Sequence, residues 1–149
     1  MTRLRLAEEA DIPVLVKMGA EMIAGSSFAA MPYSPERTAD FLRRCIASGF
    51  AAVATEGDTI TGVILGDVLQ PWYSEQRMGT EHVLYVRPQF QGSRAALMLV
   101  KAWAAWCLDS GALQLRPGTS AGSAAADRLY QALGFERAGT LYVMNRGEG

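Results

Sequence analysis

The spacing of hydrophobic residues switches several times along the chain between the alternation of a half-buried strand and the three- to four-residue repeat of a helix. Strand-like stretches lie around Leu4 and Leu6, at residues 50–55, 59–69, 81–86 and 112–115, and, as two short ones, between residues 135 and 145. Four helical patterns separate them, two of them before residue 50. This alternation predicts an α/β fold with a mixed sheet and helices on its faces.

Short polar residues and glycines mark the ends of several elements. Ser34 is predicted to cap the second helix, and Ser123 to cap the last one. The tripeptide at residues 56–58, which is centred on Gly57, is typical of a hairpin turn between two strands. Gly134 is predicted to end the last helix in the left-handed conformation that glycine adopts at little cost.

Length and composition indicate a folded globular protein. The 149 residues are 50% hydrophobic and 19% charged, which predicts one domain, residues 1–149, with its own core. No apolar run is long enough to cross a bilayer, and the first residues form a strand pattern instead of a signal peptide. We therefore expect a cytoplasmic protein with no membrane partner. The net charge is −1, so the chain has no excess of basic residues, and we do not expect it to bind a nucleic acid.

The cysteines and the histidine restrict the chemistry further. Cys45 and Cys107 both lie in helical patterns, which indicates reduced core residues and argues against a disulfide scaffold. His82 is the single histidine, so we expect no metal site of the zinc type.

The loop between the fourth strand and the central helix is the strongest candidate for a binding site. Pro88 ends the strand, and the helix begins almost at once. The first amides of a helix have no partner within it and attract anions, so the amides of residues 93–96 are expected to face a phosphate. Gly92 has no Cβ, which allows an anion to approach the backbone closely.

Two segments together resemble the GNAT superfamily of acetyl-CoA-dependent N-acetyltransferases. In that family a strand that ends in Val-x-Pro leads to Arg/Gln-x-x-Gly-x-Gly/Ala, and a later helix ends in Leu-Tyr-x-x-x-Gly-Phe. The residues that match these two motifs are Val86, Pro88, Gln91, Ala96, Leu129, Tyr130, Gly134 and Phe135. The resemblance implies a mostly antiparallel sheet of six to seven strands with helices on both faces, in which the fourth and fifth strands splay apart to admit the cofactor.

The chain departs from the family pattern at two positions. Arg94 stands where the pattern has glycine, and its guanidinium either contacts a CoA phosphate or is solvated. After the fifth strand the family often has an asparagine that hydrogen-bonds the pantetheine arm of the cofactor. This chain offers Ser123 or Ser120 instead. We assign Ser123 first to helix capping.

The resemblance also implies a cofactor and a set of site residues. The expected cofactor is acetyl-CoA, held by residues of the fourth strand and of the loop after it: Leu84, Tyr85, Val86, Gln91, Gly92, Ser93, Arg94, Ala95, Ala96 and Ser123. The acetyl group would pass directly to an amine. Glu81 and His82 are neighbours on a strand and point to opposite faces, so one of them is expected to reach the site as the base. Glu81 is favoured because similar enzymes often carry a carboxylate near this strand, and His82 is the alternative. Tyr130 would protonate the leaving thiolate, and the Val86 amide would stabilise the oxyanion.

The acceptor amine is the least defined part of the prediction. In the family fold its pocket is built from the segment between the first two helices and from the loop before the fourth strand. Here these carry aromatic residues, namely Phe28, Tyr33, Trp72 and Tyr73. Such a lining suits a small or medium amine, and a peptide remains open. Exposed aromatic residues are equally typical of a homodimer interface.

Two alternatives to catalytic acetyl transfer stay open at this point. Arg94 and the missing asparagine are compatible with a regulatory domain that binds acyl-CoA without catalysis. The run at residues 118–122 spells the Gly-x-Ser-x-Gly of a hydrolase nucleophile elbow, with Ser120 as its serine. A serine hydrolase is less favoured, because such enzymes place the base histidine after the serine and His82 comes before it.

Overall fold

A computed structural model describes residues 1–119 and 123–147 of the protein. The strands among these residues are β1 (Thr2–Leu6), β2 (Phe50–Glu56), β3 (Thr59–Leu69), β4 (Arg77–Val86) and β5 (Ala112–Arg116). The α-helices are α1 (Ile12–Ala24), α2 (Pro35–Ser48), α3 (Ala95–Asp109) and α4 (Ala124–Ala132). Short 3₁₀ turns precede α1 and follow β4. The element order through α4 is the one that the hydrophobic pattern predicts.

The strands form one mixed sheet in the order β1-β2-β3-β4-β5, with β4 and β5 parallel and the other neighbours antiparallel. Gly57 makes the β2–β3 hairpin turn with a φ of +60°. The predicted mixed sheet is therefore confirmed. The expected six to seven strands are not: the described residues form five, and residues 135–147 form none. Their strand-like composition is insufficient, because a strand also needs a neighbouring strand to hydrogen-bond with.

Helices cover both faces of the sheet, as expected. The first two helices and one set of inward side chains form a core that includes Met18, Leu42 and Val53. The last two helices pack on the other face around Trp103, which is fully buried and donates its Nε1–H to the Thr80 carbonyl oxygen at 3.2 Å. The two cysteines are buried free thiols, as the helical patterns indicated. No helix in the described part of the chain has the length and hydropathy needed to span a membrane.

The predicted helix ends are confirmed by their hydrogen bonds. The Ser34 hydroxyl accepts from the Arg37 amide, and the Ser123 hydroxyl accepts from the Ala126 amide, both at 3.2 Å. Such a cap contributes about 1 kcal/mol to stability. Gly134 follows α4 with a φ of +93°, which a residue with a Cβ would adopt only under strain.

β4 and β5 pair along only part of their length. Their pairing starts at Arg77 with Ala112 and ends at Thr80 with Arg116, whereas β4 continues to Val86. Residues 81–86 therefore face a gap on the β5 side of the sheet. This is the splay that the resemblance implied, and it places one half of β4 within reach of a ligand.

Candidate active site

A β-bulge in β4 decides which way its polar side chains point. Leu65 of β3 pairs with Val83, but the next residue, Gly66, pairs with Glu81, so His82 is an extra residue in β4. A bulge interrupts the regular alternation of side chains along a strand. Val83 consequently packs with α1 and α2, while Glu81 faces α4 on the other side of the sheet.

Glu81 and Tyr130 lie together where β4 and β5 diverge. The Tyr130 hydroxyl, on α4, lies 3.1 Å from the carbonyl oxygen of Gly118, two residues beyond β5, and donates a hydrogen bond to it. The Glu81 carboxylate accepts hydrogen bonds from the Gly118 amide and the Tyr130 hydroxyl. Because the hydroxyl has one proton, it donates to one of its two acceptors at a time. The three residues thus form a hydrogen-bonded cluster at the fork between the strands.

The surroundings of this cluster shift two pKa values upwards. Burial raises the pKa of Glu81 to about 7, and the hydrogen bonds from Gly118 and Tyr130 offset only part of that rise. Burial, together with the neighbouring Glu81 carboxylate, also raises the pKa of Tyr130 well above its ordinary value. Near neutral pH Glu81 can therefore accept or release a proton, whereas Tyr130 keeps its own.

His82 lies on the opposite face of the sheet from Glu81. Its Nε2 is 2.7 Å from an Asp67 carboxylate oxygen, and its ring packs edge-to-face on Phe41 of α2 with the centroids 5.2 Å apart. Arg44 pairs with the same carboxylate at 3.0 Å. The structure therefore brings Glu81, and not His82, next to Tyr130.

The last part of β4 presents backbone groups to the gap. The Arg87 amide donates to the Thr61 carbonyl oxygen of β3 at 2.9 Å, so the backbone groups of Val86 and Leu84 point the other way, because they alternate along a strand. The Gln91 side-chain amide donates to the Val86 carbonyl oxygen at 3.3 Å. Gln91 thus ties the loop before α3 to the rim of the gap.

Tyr85 differs from its two neighbours among the predicted cofactor-binding residues. By the same alternation its backbone faces β3 and not the gap. Its hydroxyl donates to a Glu21 carboxylate oxygen at 3.1 Å, and its ring lines a cavity on the α1 and α2 face. Its side chain therefore lies on the cavity side of β4 and not in the gap.

The loop before α3 leaves room for an anion beside its amides. Gly92 has a φ of +88°, and a Cβ built there would meet no atom within 4 Å. Within the described residues the amides of Arg94 and Ala96 make no hydrogen bond. Together with the start of the helix, these groups favour negative charge.

Two of the four amides of residues 93–96 have hydrogen-bond partners in the turn before the helix. The Ser93 amide donates to the Phe90 carbonyl oxygen at 3.2 Å, and the Ala95 amide donates to the Ser93 hydroxyl at 3.3 Å. The turn before α3 uses these donors locally, which the sequence pattern did not reveal. The Arg94 side chain is exposed at the first position before the helix and caps none of its amides.

One cavity lies between α1, α2 and the sheet, and a second lies between α1, α2 and the segment that connects them. The larger, of about 320 Å³, is lined mainly by apolar residues: Leu15, Met18, Gly19, Met22, Ile23, Tyr33, Arg37, Thr38, Phe41, Leu42, Val63, Leu65, Val83 and Tyr85. The smaller, of about 290 Å³, is lined by Ile23, Phe28, Met31, Pro32, Tyr33, Ser34, Arg37 and Thr38. Both volumes approach or match the lower range of small-molecule pockets. Among the described residues, Arg37 is the one with a permanent charge in either lining.

The four predicted acceptor residues fall into two groups. Phe28 and Tyr33 line the cavities, and Tyr33 also donates its hydroxyl to the Val16 carbonyl oxygen at 2.6 Å. Trp72 and Tyr73 line neither cavity and are exposed. Arg116, at the last pair before the gap, donates to the Tyr73 hydroxyl and lies over its ring. The loop that carries Trp72 and Tyr73 therefore contacts the end of β5 at the fork and does not line the cavities.

Sequence reasoning missed two residues that shape the site. Gly118 supplies a carbonyl oxygen and an amide to the Tyr130 and Glu81 pair. Arg37 lines both cavities from α2. No local pattern marks either residue, because each acquires its role from an element distant in sequence.

The hydrolase alternative gains no support. Ser120 lies outside the described residues. His82, the base that such a serine would need, is bonded to Asp67 on β3. Within residues 1–119 and 123–147, no group of three or more His, Cys, Asp or Glu side chains could hold a metal ion.

Comparisons with known proteins agree with this geometry. A family model described as the acetyltransferase (GNAT) family matches residues 21–135. A transcriptional regulator from Bacillus halodurans C-125 has a TM-score of 0.78 at 18% identity, over 98% of this chain and 100% of that one. The aminoglycoside N-acetyltransferase AAC(6')-Iy in complex with CoA has a TM-score of 0.76 at 14% identity, over 100% of this chain and 96% of that one. A predicted acetyltransferase with acetyl-CoA from Clostridium acetobutylicum has a TM-score of 0.74 at 18% identity, over 97% of this chain and 96% of that one. No curated protein matches the chain.

At such low identities the solved structures show a shared fold and nothing more. The family model carries more weight, because it spans most of the chain and includes both the loop before α3 and the helix of Tyr130. The splayed strands, the start of α3 and the family match lead to one conclusion. This chain belongs to the acetyltransferase (GNAT) family and is an acetyl-CoA-dependent acyltransferase.

Proposed function

We propose that the protein transfers an acetyl group from acetyl-CoA directly to a primary amine of a small or medium acceptor with an apolar body. The observation that carries the proposal is the pairing of Glu81 with Tyr130 at the fork between β4 and β5. It provides one group that can take a proton near neutral pH and one that can give a proton. Amine acetylation requires both.

The residues around the gap fit the cofactor. Leu84 and Val86 offer backbone groups that lack a strand partner on the gap side, and a pantetheine amide can pair with such groups. Gly92 leaves open space beside the amides of Arg94 and Ala96, where a diphosphate would be held. When bound there, acetyl-CoA supplies an acetyl thioester that is activated for transfer.

Glu81 is proposed as the base that removes the proton of the acceptor amine, directly or through a water molecule. A base works best when its pKa is near the working pH, and burial brings the pKa of Glu81 to about 7. The hydrogen bond from the Gly118 amide orients the carboxylate without neutralising it. His82 lacks this position, since it faces α2 and Asp67.

Tyr130 is proposed as the acid that protonates the leaving sulfur. Its raised pKa keeps the hydroxyl protonated, and a thiolate is a stronger acceptor than the Gly118 carbonyl oxygen that the hydroxyl contacts here. The Val86 amide points into the same gap and would stabilise negative charge on the acetyl oxygen.

The larger cavity supports an acceptor with an apolar body. Its walls are mainly aliphatic and aromatic, and the acid nearest to its Tyr85 wall, Glu21, is engaged with that hydroxyl and with Arg87. A polycation such as the substrate of an aminoglycoside acetyltransferase would find few carboxylates there. Arg37 would favour an acceptor that also carries a carboxylate, such as an amino acid. A peptide acceptor would need to insert its end residue into the cavity.

The test is a screen of pooled amines with acetyl-CoA labelled in the acetyl group, followed by the Tyr130→Phe variant on the best acceptor. We expect Tyr130→Phe to lower turnover by about 10²–10⁴ and to leave CoA affinity intact. Tyr142→Phe removes a hydroxyl from an exposed ring and is the matched control. CoA binding without acetylation of any amine in the panel would instead indicate a regulatory domain. Unchanged turnover in Tyr130→Phe would show that Tyr130 takes no part in the reaction.

A further inference from the structure

Arg37 lies where the two cavities beside α2 meet. The cavities share four lining residues, namely Ile23, Tyr33, Arg37 and Thr38. Every strand residue in the linings belongs to the larger cavity alone, and two of these, Val83 and Tyr85, lie on β4, which borders the gap. The larger cavity therefore extends from β4 to the four shared residues, which lie on the two helices and on the segment between them.

The guanidinium of Arg37 has no partner among the described residues. Its side chain makes no hydrogen bond or ion pair there, whereas the two other arginines of α2, Arg43 and Arg44, pair with carboxylates at 2.9 and 3.0 Å. Asp40, one turn further along the helix, pairs with Arg43. A guanidinium stays protonated in proteins. Arg37 therefore places an unpaired positive charge on the wall of the cavity.

The other side chains at which the cavities meet have no proton to offer a ligand. The Tyr33 hydroxyl donates to the Val16 carbonyl oxygen at 2.6 Å, and the Thr38 hydroxyl donates to the Ser34 carbonyl oxygen at 2.9 Å. The remaining shared residue, Ile23, is apolar. Of these four side chains, only that of Arg37 is free to donate hydrogen bonds, and a guanidinium binds a carboxylate through two parallel bonds.

The β4 end of the larger cavity has an acid beside it. The Tyr85 hydroxyl donates to a Glu21 carboxylate oxygen at 3.1 Å, and Arg87 pairs with the same carboxylate at 3.4 Å. The cavity thus has a carboxylate near one end and the guanidinium of Arg37 at the other, with mainly apolar walls between them. A molecule with an amine at one end and an anionic group at the other matches both charges, and complementary charges orient a ligand.

We propose that the acceptor is a primary amine with a carboxylate at the far end of its apolar body, and that Arg37 selects it by binding that carboxylate. The body occupies the larger cavity, the carboxylate lies where the two cavities meet, and the amine lies at β4 beside the gap. An α-amino acid fits less well, because its amine and carboxylate are attached to the same carbon. A phosphate ester carries nearly two negative charges, of which one guanidinium would leave one unpaired between apolar walls. The inference rests on the proposed acetyl transfer and narrows its acceptor to this class.

The test compares three acceptors. In para-(aminomethyl)benzoate the carboxylate lies across the ring from the amine, para-methylbenzylamine has a methyl group in its place, and L-phenylalanine has the carboxylate beside the amine. We expect the wild-type kcat/KM for para-(aminomethyl)benzoate to exceed the other two values by about 10–100-fold, the range for a hydrogen bond between charged groups.

Two variants on α2 test the role of Arg37. Arg37→Gln should lower kcat/KM for para-(aminomethyl)benzoate to about the value for para-methylbenzylamine, because glutamine has no charge to pair with the carboxylate. Arg43→Gln is the matched control, since Arg43 lies on the same helix and lines neither cavity, and it should keep the wild-type preference.

Calorimetry in excess CoA separates a failure of this inference from a failure of acetyl transfer. The wild type should bind para-(aminomethyl)benzoate at least about tenfold more tightly than para-methylbenzylamine, and Arg37→Gln should remove the difference. If this pattern is found but no amine is acetylated, the proposed transfer fails and the role of Arg37 stands.

The opposite outcome is equally distinct. If amines are acetylated but the carboxylate gives no advantage, or if its advantage survives Arg37→Gln or is lost in Arg43→Gln, the inference is overturned and the proposed transfer stands. A preference for L-phenylalanine over para-(aminomethyl)benzoate overturns the inference as well. If neither benzylamine binds at millimolar concentration and no amine is acetylated, both proposals are overturned.

Discussion

Replacing Glu81 with glutamine should make the protein more stable and less active at the same time. The carboxyl is buried at the fork and has a pKa of about 7, against 4.5 for an exposed glutamate. Because each pKa unit corresponds to about 1.4 kcal/mol, ionised Glu81 costs the folded state about 3 kcal/mol. Glutamine keeps an acceptor for the Gly118 amide and has no charge to desolvate.

The sign of the pH dependence follows from the direction of this shift. The folded protein retains the Glu81 proton between pH 4.5 and about 7, whereas the unfolded chain releases it. Relative to Glu81→Gln, the wild type therefore matches the variant below pH 4.5, loses stability as the pH rises from 4.5 to about 7, and loses little more above that. At pH 8.5 the free energy of unfolding of the variant should exceed that of the wild type by about 3 kcal/mol. This difference corresponds to a melting temperature that is roughly 6–12 °C higher.

Urea unfolding at pH 5 and pH 8.5 measures this difference. Glu75→Gln is the matched control, since Glu75 is exposed in the loop before β4, and its stability should not depend on pH relative to the wild type. The reasoning is refuted if Glu81→Gln is no more stable than the wild type at pH 8.5, or if its advantage is as large at pH 5. Without urea, the acetylation rate of Glu81→Gln should be lower than that of the wild type by about 10²–10⁴ and should not increase with pH near 7.

Two further substitutions address the loop before α3 and the packing beneath the sheet. Arg94→Glu should weaken CoA binding about tenfold in calorimetry, because it places a carboxylate beside an anion site at a helix start; unchanged affinity would show that the side chain points to solvent. Gly66→Ala would place a Cβ 2.7 Å from the Thr80 carbonyl oxygen and against the Trp103 indole, so thermal unfolding should show a loss of about 1–3 kcal/mol. Gly139→Ala, where no atom lies within 4 Å, should change little, and equal losses in both variants would contradict the packing argument.

Features that depend on a few neighbouring residues could be predicted from the sequence. The caps at Ser34 and Ser123, the turn at Gly57 and the helix end at Gly134 are of this kind. The order of strands and helices followed from hydrophobic spacing, and the splay of β4 from β5 followed from the family resemblance.

Features that depend on pairing between distant segments could not be predicted. The side of the sheet on which Glu81 lies is set by the bulge opposite Leu65 and Gly66, and strand alternation alone gives no sign of that extra residue. The larger cavity combines side chains from α1, α2, β3 and β4, of which sequence reasoning found Tyr33 but not Arg37. The strand propensity of residues 140–145 was visible, but whether a neighbouring strand exists for them is not a local property.

The central claim is that the gap beside β4 and the amides at the start of α3 hold the CoA moiety. The most direct measurement is a titration of the protein with CoA, followed by the backbone amide signals in heteronuclear NMR. We predict saturable shifts of the Gly92, Arg94 and Ala96 signals, with smaller ones at Leu84 and Val86 and none on β1. Absence of any shift at millimolar CoA, or shifts confined to residues away from the gap, would contradict the account.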